Sequence, residues 1–117
     1  MTSPRFVPKS YAVDPKMFGS SELVQWKPVR SHSGADRDNL VAAQVHHLVA
    51  LRLQAAIRRR GMTNDEAARA FGITESRLGR LLRGDVILRL EDIAWADRNF
   101  ELGVLAILFA PRERRGT

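Results

Sequence analysis

Between Thr63 and Gly84 the chain sets two helix starts and two glycine stops so close together that few folds remain open to it. Thr63 and Glu66 have capping-box spacing. The threonine hydroxyl can accept from the Glu66 amide, and the carboxylate can reach back to the Thr63 amide. Gly72 permits the left-handed backbone that ends this first short helix. Thr74 caps a second, which Gly84 closes. Ala67 and Ala68 are small where two such helices would cross. Ile73, Leu78 and Leu81 supply apolar knobs on the inner face of the second helix. Its outward positions are Glu75, Ser76, Arg77, Gly79, Arg80 and Arg83. This is the sequence form of a helix-turn-helix, which lays its second helix in the major groove of DNA.

Gly79 sharpens the expectation. A glycine on an exposed helix face costs up to ~1 kcal/mol in helix propensity. Close approach to a phosphate or a base would account for that cost.

The flanks extend the helical pattern. Asp36 or Asp38 can cap a helix running to Arg60, with Leu40, Val41, Val45, Leu48, Val49, Leu53, Ala56 and Ile57 on one stripe. Gly61 stops it after three arginines, which suit the negative end of a helix. Leu90 to Asn99 reads as a further helix with Ile93, Ala94 and Trp95 inward. Leu102 to Ala110 is apolar and fits helix or strand, and Pro111 ends it. Residues 1–37 contain Pro4, Pro8, Pro15 and Pro28 and read as irregular or extended. Yet Phe6, Tyr11, Phe18 and Trp26 lie there, and such aromatics point to packing rather than disorder. Leu23 to Val29 fits a short strand. Lys27-Pro28-Val29-Arg30 could enter a minor groove, but the neighbouring Trp26 favours packing.

Charge follows the motif. The chain carries a net +6. From Leu51 to Gly84, eight arginines face only Asp65, Glu66 and Glu75, whereas the segment 85–101 is acidic. A basic pole suits a polyanionic partner. The absence of cysteine excludes disulfides and thiolate metal sites and fits a reducing compartment. No signal peptide is evident, and the apolar run 102–110 is far shorter than the ~20 residues of a membrane span. The expected location is the cytoplasm, on the nucleoid.

Leu51 to Leu102 resembles the Cro/CI-type, or XRE-like, helix-turn-helix domain. The residues that carry the resemblance are Leu51-Arg52, Arg60-Gly61-Met62-Thr63, Ala67-Ala68, Phe71-Gly72-Ile73-Thr74, Leu78, Leu81-Leu82-Arg83-Gly84 and Leu90-Glu91-Asp92-Ile93. It implies an all-α fold: a compact lambda-repressor-like bundle, here with a long first helix and an extended N-terminal arm. The expected division is an arm over 1–37, a DNA-binding domain over 38–101, and an apolar segment with a basic tail over 102–117. Asn64 stands where the family usually has a glutamine that contacts the DNA backbone. The resemblance implies base contacts from Ser76, Arg77 and Arg80, joined by Glu75, which could accept from cytosine N4. It implies backbone contacts from Thr63, Asn64, Thr74, Gly79 and Arg83. Arg89 replaces the family's usual Ser or Thr cap.

The function expected is a sequence-specific regulator of transcription, a repressor, acting on double-stranded DNA as a homodimer. Either the long stripe of the first helix or the segment 102–110 would form the seam. A protein-interaction adaptor or antitoxin-like partner is the alternative, and a nucleoid protein of low sequence preference is a third reading. Neither an enzyme, a cofactor nor a metal is expected. Ser76 has no base partner in the pattern. His46 and His47 are adjacent on a helix without a third ligand at metal spacing, so packing is the expected role.

Overall fold

The computed structural model describes residues 6–29 and 34–103. Four helices follow one another: α1 (Gly34–Arg59), α2 (Asn64–Phe71), α3 (Glu75–Arg83) and α4 (Leu90–Phe100). Before them the arm makes two 3-10 turns, Pro8–Tyr11 and Pro15–Met17, each opened by its proline. Among the described residues there is no strand. The strand expected over Leu23–Val29 is reduced to one isolated antiparallel bridge between Ala12 and Trp26. The all-α class is as expected. The first helix begins at Gly34, four residues before the expected domain boundary. The apolar segment beyond Gly103 lies outside the described residues.

The core sits where α1 meets the other three helices. Its α1 side is Val49, Ala50, Leu53, Ala56 and Ile57, against Ala67 and Ala68 of α2, Leu78 and Leu82 of α3, and Ala96 and Phe100 of α4. Each fully buried leucine or valine contributes roughly 1.5–3 kcal/mol relative to exposure. The α1 stripe divides in two. Its C-terminal half is core, whereas Val41, Val45 and Leu48 are about half exposed. By length and composition α1 could cross a membrane, but 44% of that stretch is buried inside the domain.

The phase of α4 departs from expectation. Asp92, Ala96 and Phe100 are its buried positions, and Ala94 faces solvent. Spacing of four residues places them on one stripe, with Trp95 partly buried beside Phe71 at a ring separation of 3.8 Å. The cap of α4 comes from inside the helix. The Asp92 carboxylate accepts from the Arg89 amide at 2.9 Å, the reach-back half of a capping box, while the Asp92 amide, which a Ser or Thr would have capped, donates to the Arg89 carbonyl at 3.0 Å.

The arm is a packed part of the domain. Phe18 is buried edge-on against His46, His47 and Trp26. The Gly19 amide donates to Nδ1 of His47 at 2.8 Å, and Gln54 Nε2 donates to the Gly19 carbonyl at 2.7 Å. The Lys9 amide donates to the Gly84 carbonyl at 3.1 Å. The arm thus joins α1 to the C-terminal end of α3. Both histidines are packed, as expected, and both are parts of this junction.

Candidate nucleic-acid interface

The α2–turn–α3 unit is built as its sequence dictates. Thr63 Oγ1 accepts from the Glu66 amide at 3.1 Å, and Glu66 Oε1 accepts from the Thr63 amide at 2.9 Å. Bonds to the carboxylate from the Thr63 amide first, and from the Thr63 hydroxyl second, hold the Glu66 carboxyl below its ordinary pKa. Gly72 is left-handed at φ +73, and its amide closes on the last turn of α2. Thr74 Oγ1 accepts from the Arg77 amide at 3.0 Å. Leu78 and Leu81 are fully buried, and Leu82 joins them. With that face inward, Glu75, Ser76, Arg80 and Arg83 lie exposed. The Arg80 guanidinium donates to Ser76 Oγ at 3.3 Å, which keeps the two side chains together on the outward surface.

Three expected contact residues are engaged within the fold. Arg77 is half-buried, and its guanidinium donates to both Asp92 oxygens at 3.1 and 3.3 Å. Asp92 is buried and also accepts from Trp95 Nε1 at 3.2 Å, besides the Arg89 amide. A buried carboxylate requires such partners. In this geometry Arg77 ties α3 to α4, and its guanidinium is withdrawn from the base-contacting set. Thr63 and Thr74 are likewise occupied as helix caps. Asn64, at the exposed start of α2, keeps its side chain at the surface.

Gly79 also acquires a local explanation. A Cβ there would stand 3.0 Å from a guanidinium nitrogen of Arg83. The missing side chain makes room for Arg83 to lie back along α3. The amide of Gly79, fifth in its helix, belongs to the intrahelical ladder and is not among the free N-terminal donors. That amide is therefore not available for the phosphate contact expected of it.

The basic pole is narrower than a residue count suggests. Arg52 donates to the Leu102 carbonyl, and Arg60 donates to the Asn99 carbonyl while lying over the Phe100 ring. Arg69 pairs with Asp65. Two lysines that pattern reading passed over stand beside α3 instead. Lys9 and Lys16 from the arm, with Pro15 and Phe18, line a cleft whose far wall is Arg83. Asp85 lies at its edge, paired with Lys9 and with Arg83. Those cations, Lys9 foremost, hold the Asp85 carboxyl below its ordinary pKa. The signal that points to the lysines is the aromatic content of the arm, which requires docking; it does not say where.

Among the described residues, no three metal-ligating side chains converge. No family model, curated protein or solved structure matches this chain, so the resemblance to the Cro/CI-type domain rests on its own residues.

Proposed function

We propose that the chain is a sequence-specific DNA-binding regulator of transcription that reads the major groove with α3. One observation carries the reading: α3 buries its leucines and turns outward a face made only of Glu75, Ser76, Gly79, Arg80 and Arg83, within a capped helix-turn-helix. Glu75, Ser76 and Arg80 are the base-reading group. Arg83 and Asn64 meet phosphate. Two copies would present their recognition helices about 34 Å apart on successive turns of the groove. The half-exposed stripe Val41, Val45 and Leu48 is the seam proposed for that homodimer. Such a protein works on the nucleoid, and a repressor is the simplest mode for a domain of this size.

A second reading has its own observation. Val45, Ile87 and Leu90 are exposed around an apolar cleft of about 220 Å³ that also involves Phe6 and Pro8. Under this reading the chain is an adaptor that docks another protein there.

Retention of a mixed genomic duplex pool by the full chain, at two salt concentrations, separates the two. Binding at low salt that weakens as salt rises supports the regulator; no retention at low salt supports the adaptor. Within the regulator reading, Arg80→Ala relaxes sequence preference by about 1–3 kcal/mol at one position. Arg83→Ala weakens binding to all sequences alike. Equal loss of specificity from both variants refutes this division of roles.

A further inference from the structure

We infer that the N-terminal arm completes the DNA site: Lys9 and Lys16, with Arg83, form a seat for a backbone phosphate beyond the C-terminal end of α3. The inference rests on the DNA-binding reading and adds a contact that the helix-turn-helix alone does not contain.

Three cationic side chains from three separate segments converge on one cleft of about 280 Å³. Lys9 comes from the first 3-10 turn, Lys16 from the second, and Arg83 from the last turn of α3. Two carboxylates lie nearby: Asp85 pairs with Lys9 and Arg83, and Asp14 accepts from the Lys16 amide as the cap of the second 3-10 turn. Among the described residues Lys16 has no ion-pair partner, so the cleft keeps an excess of positive charge. A phosphodiester, singly charged with two free oxygens, suits that excess.

Position and rigidity favour the same ligand. Arg83 stands one turn beyond Arg80 on α3, so the cleft continues the outward face of the helix. The lysines are not on a loose tail. Lys9 is fixed by the hydrogen bond from its backbone amide to the Gly84 carbonyl, and Lys16 lies between Pro15 and the buried Phe18. Gly19 follows at once, bonded to His47 and Gln54. Ordering is therefore complete before DNA arrives, so phosphate binding need not fold the arm. Lysine ammonium groups hold phosphate as point charges.

The test is the salt dependence of binding of the full chain to a mixed-sequence duplex. Loss of one phosphate contact lowers the slope of log K against log salt by about 0.9. Lys16→Gln is expected to lower the slope by that amount, with affinity falling several-fold at low salt. Lys16→Arg is expected to restore both. Arg98→Gln, the same charge change on the exposed end of α4, leaves the slope at its parental value. If the parent binds and Lys16→Gln keeps the parental slope, or loses no more than Arg98→Gln, the phosphate seat is refuted while the DNA-binding reading stands. If the parent retains no duplex at low salt, the DNA-binding reading itself fails and the seat falls with it.

Discussion

Gly72 and Gly19 share one backbone conformation, with φ +73 at each, and differ in what surrounds them. A Cβ added at Gly72 would meet nothing within 4 Å. One added at Gly19 would stand 2.2 Å from the Leu82 carbonyl oxygen and 3.1 Å from the Ala50 side chain. The turn between α2 and α3 is thus a local device, held by its own caps and needing only an unusual φ. The arm has no such local code. It is held by tertiary fit, with backbone pressed on backbone, His47 accepting from the Gly19 amide and His46 packed edge-on against Phe18. The helix-turn-helix can therefore tolerate changes in its neighbours that would release the arm.

Alanine at the two glycines tests this contrast most severely. Gly72→Ala carries only the left-handed penalty, about 1 kcal/mol. Gly19→Ala adds a backbone clash and is expected to cost about 3 kcal/mol. Urea unfolding measures both, and trypsin cleavage after Lys16 reports whether the arm has left its seat. Equal costs with no new cleavage would show that the arm's fit is as forgiving as the turn.

The second comparison is between Arg77 and Arg80, three residues apart on α3. Arg80 is exposed, with only a hydroxyl for company, whereas Arg77 is closed onto buried Asp92. Arg77→Ala strands a carboxylate that keeps two N–H donors, and about 2 kcal/mol of stability should be lost, below the 3–5 kcal/mol of a fully buried pair. Arg80→Ala should leave the unfolding midpoint almost unmoved. Thermal unfolding of both variants decides the matter. A stable Arg77→Ala protein with altered sequence preference would return Arg77 to the base-reading group.

How far each region could be read from sequence follows from the same difference. The caps at Thr63 and Thr74, the glycine at 72 and the inner leucines of α3 are determined within a few residues, and the structure has them where the spacing puts them. The use of Arg77 was not legible, because its partner lies 15 residues away on another helix. Asp92 gave a partial signal as the third residue of α4, where a carboxylate serves as a cap. Gly79 was read as a gap for DNA because an outward glycine says only that something approaches; the Arg83 side chain fills the space first. The arm was legible only in outline. Its aromatics announced packing, but its seat depends on bonds spanning 28 and 35 residues, to His47 and Gln54.

The smallest expected effect is one of pH, and it falls where the arm, α1 and α3 meet. His47 Nδ1 accepts from the Gly19 amide, so that nitrogen carries no proton in the docked arm. His46 faces the Leu81 carbonyl through Nε2 at 2.7 Å; a carbonyl only accepts, so Nε2 holds the proton and Nδ1, buried without a partner, stays bare. Burial is the main cause that lowers both pKa values from 6.5; for His46 the Leu81 bond and the Asp92 charge oppose it, and for His47 the backbone of Ser21 does. A lowered histidine pKa means that the released state binds more protons than the docked one. Docking is then at full strength above pH 6.5, weakens as pH falls below that value, and levels off once the docked histidines are themselves protonated. Asp85 acts in a separate window, since its lowered carboxyl pKa stabilises above 3.8 and is lost only at more acid pH. Trypsin cleavage after Lys16 and Trp26 fluorescence, followed from pH 7.5 to about 5 across the histidine range, should show the arm loosening while α2 and α3 keep their helicity. His47→Gln keeps an acceptor for the Gly19 amide and removes one titrating group, so it should flatten the profile. A profile as steep in that variant as in the parent would leave His46 as the titrating member of the pair, and one still as steep in a variant with both histidines replaced would remove the histidines from the junction's response to acid.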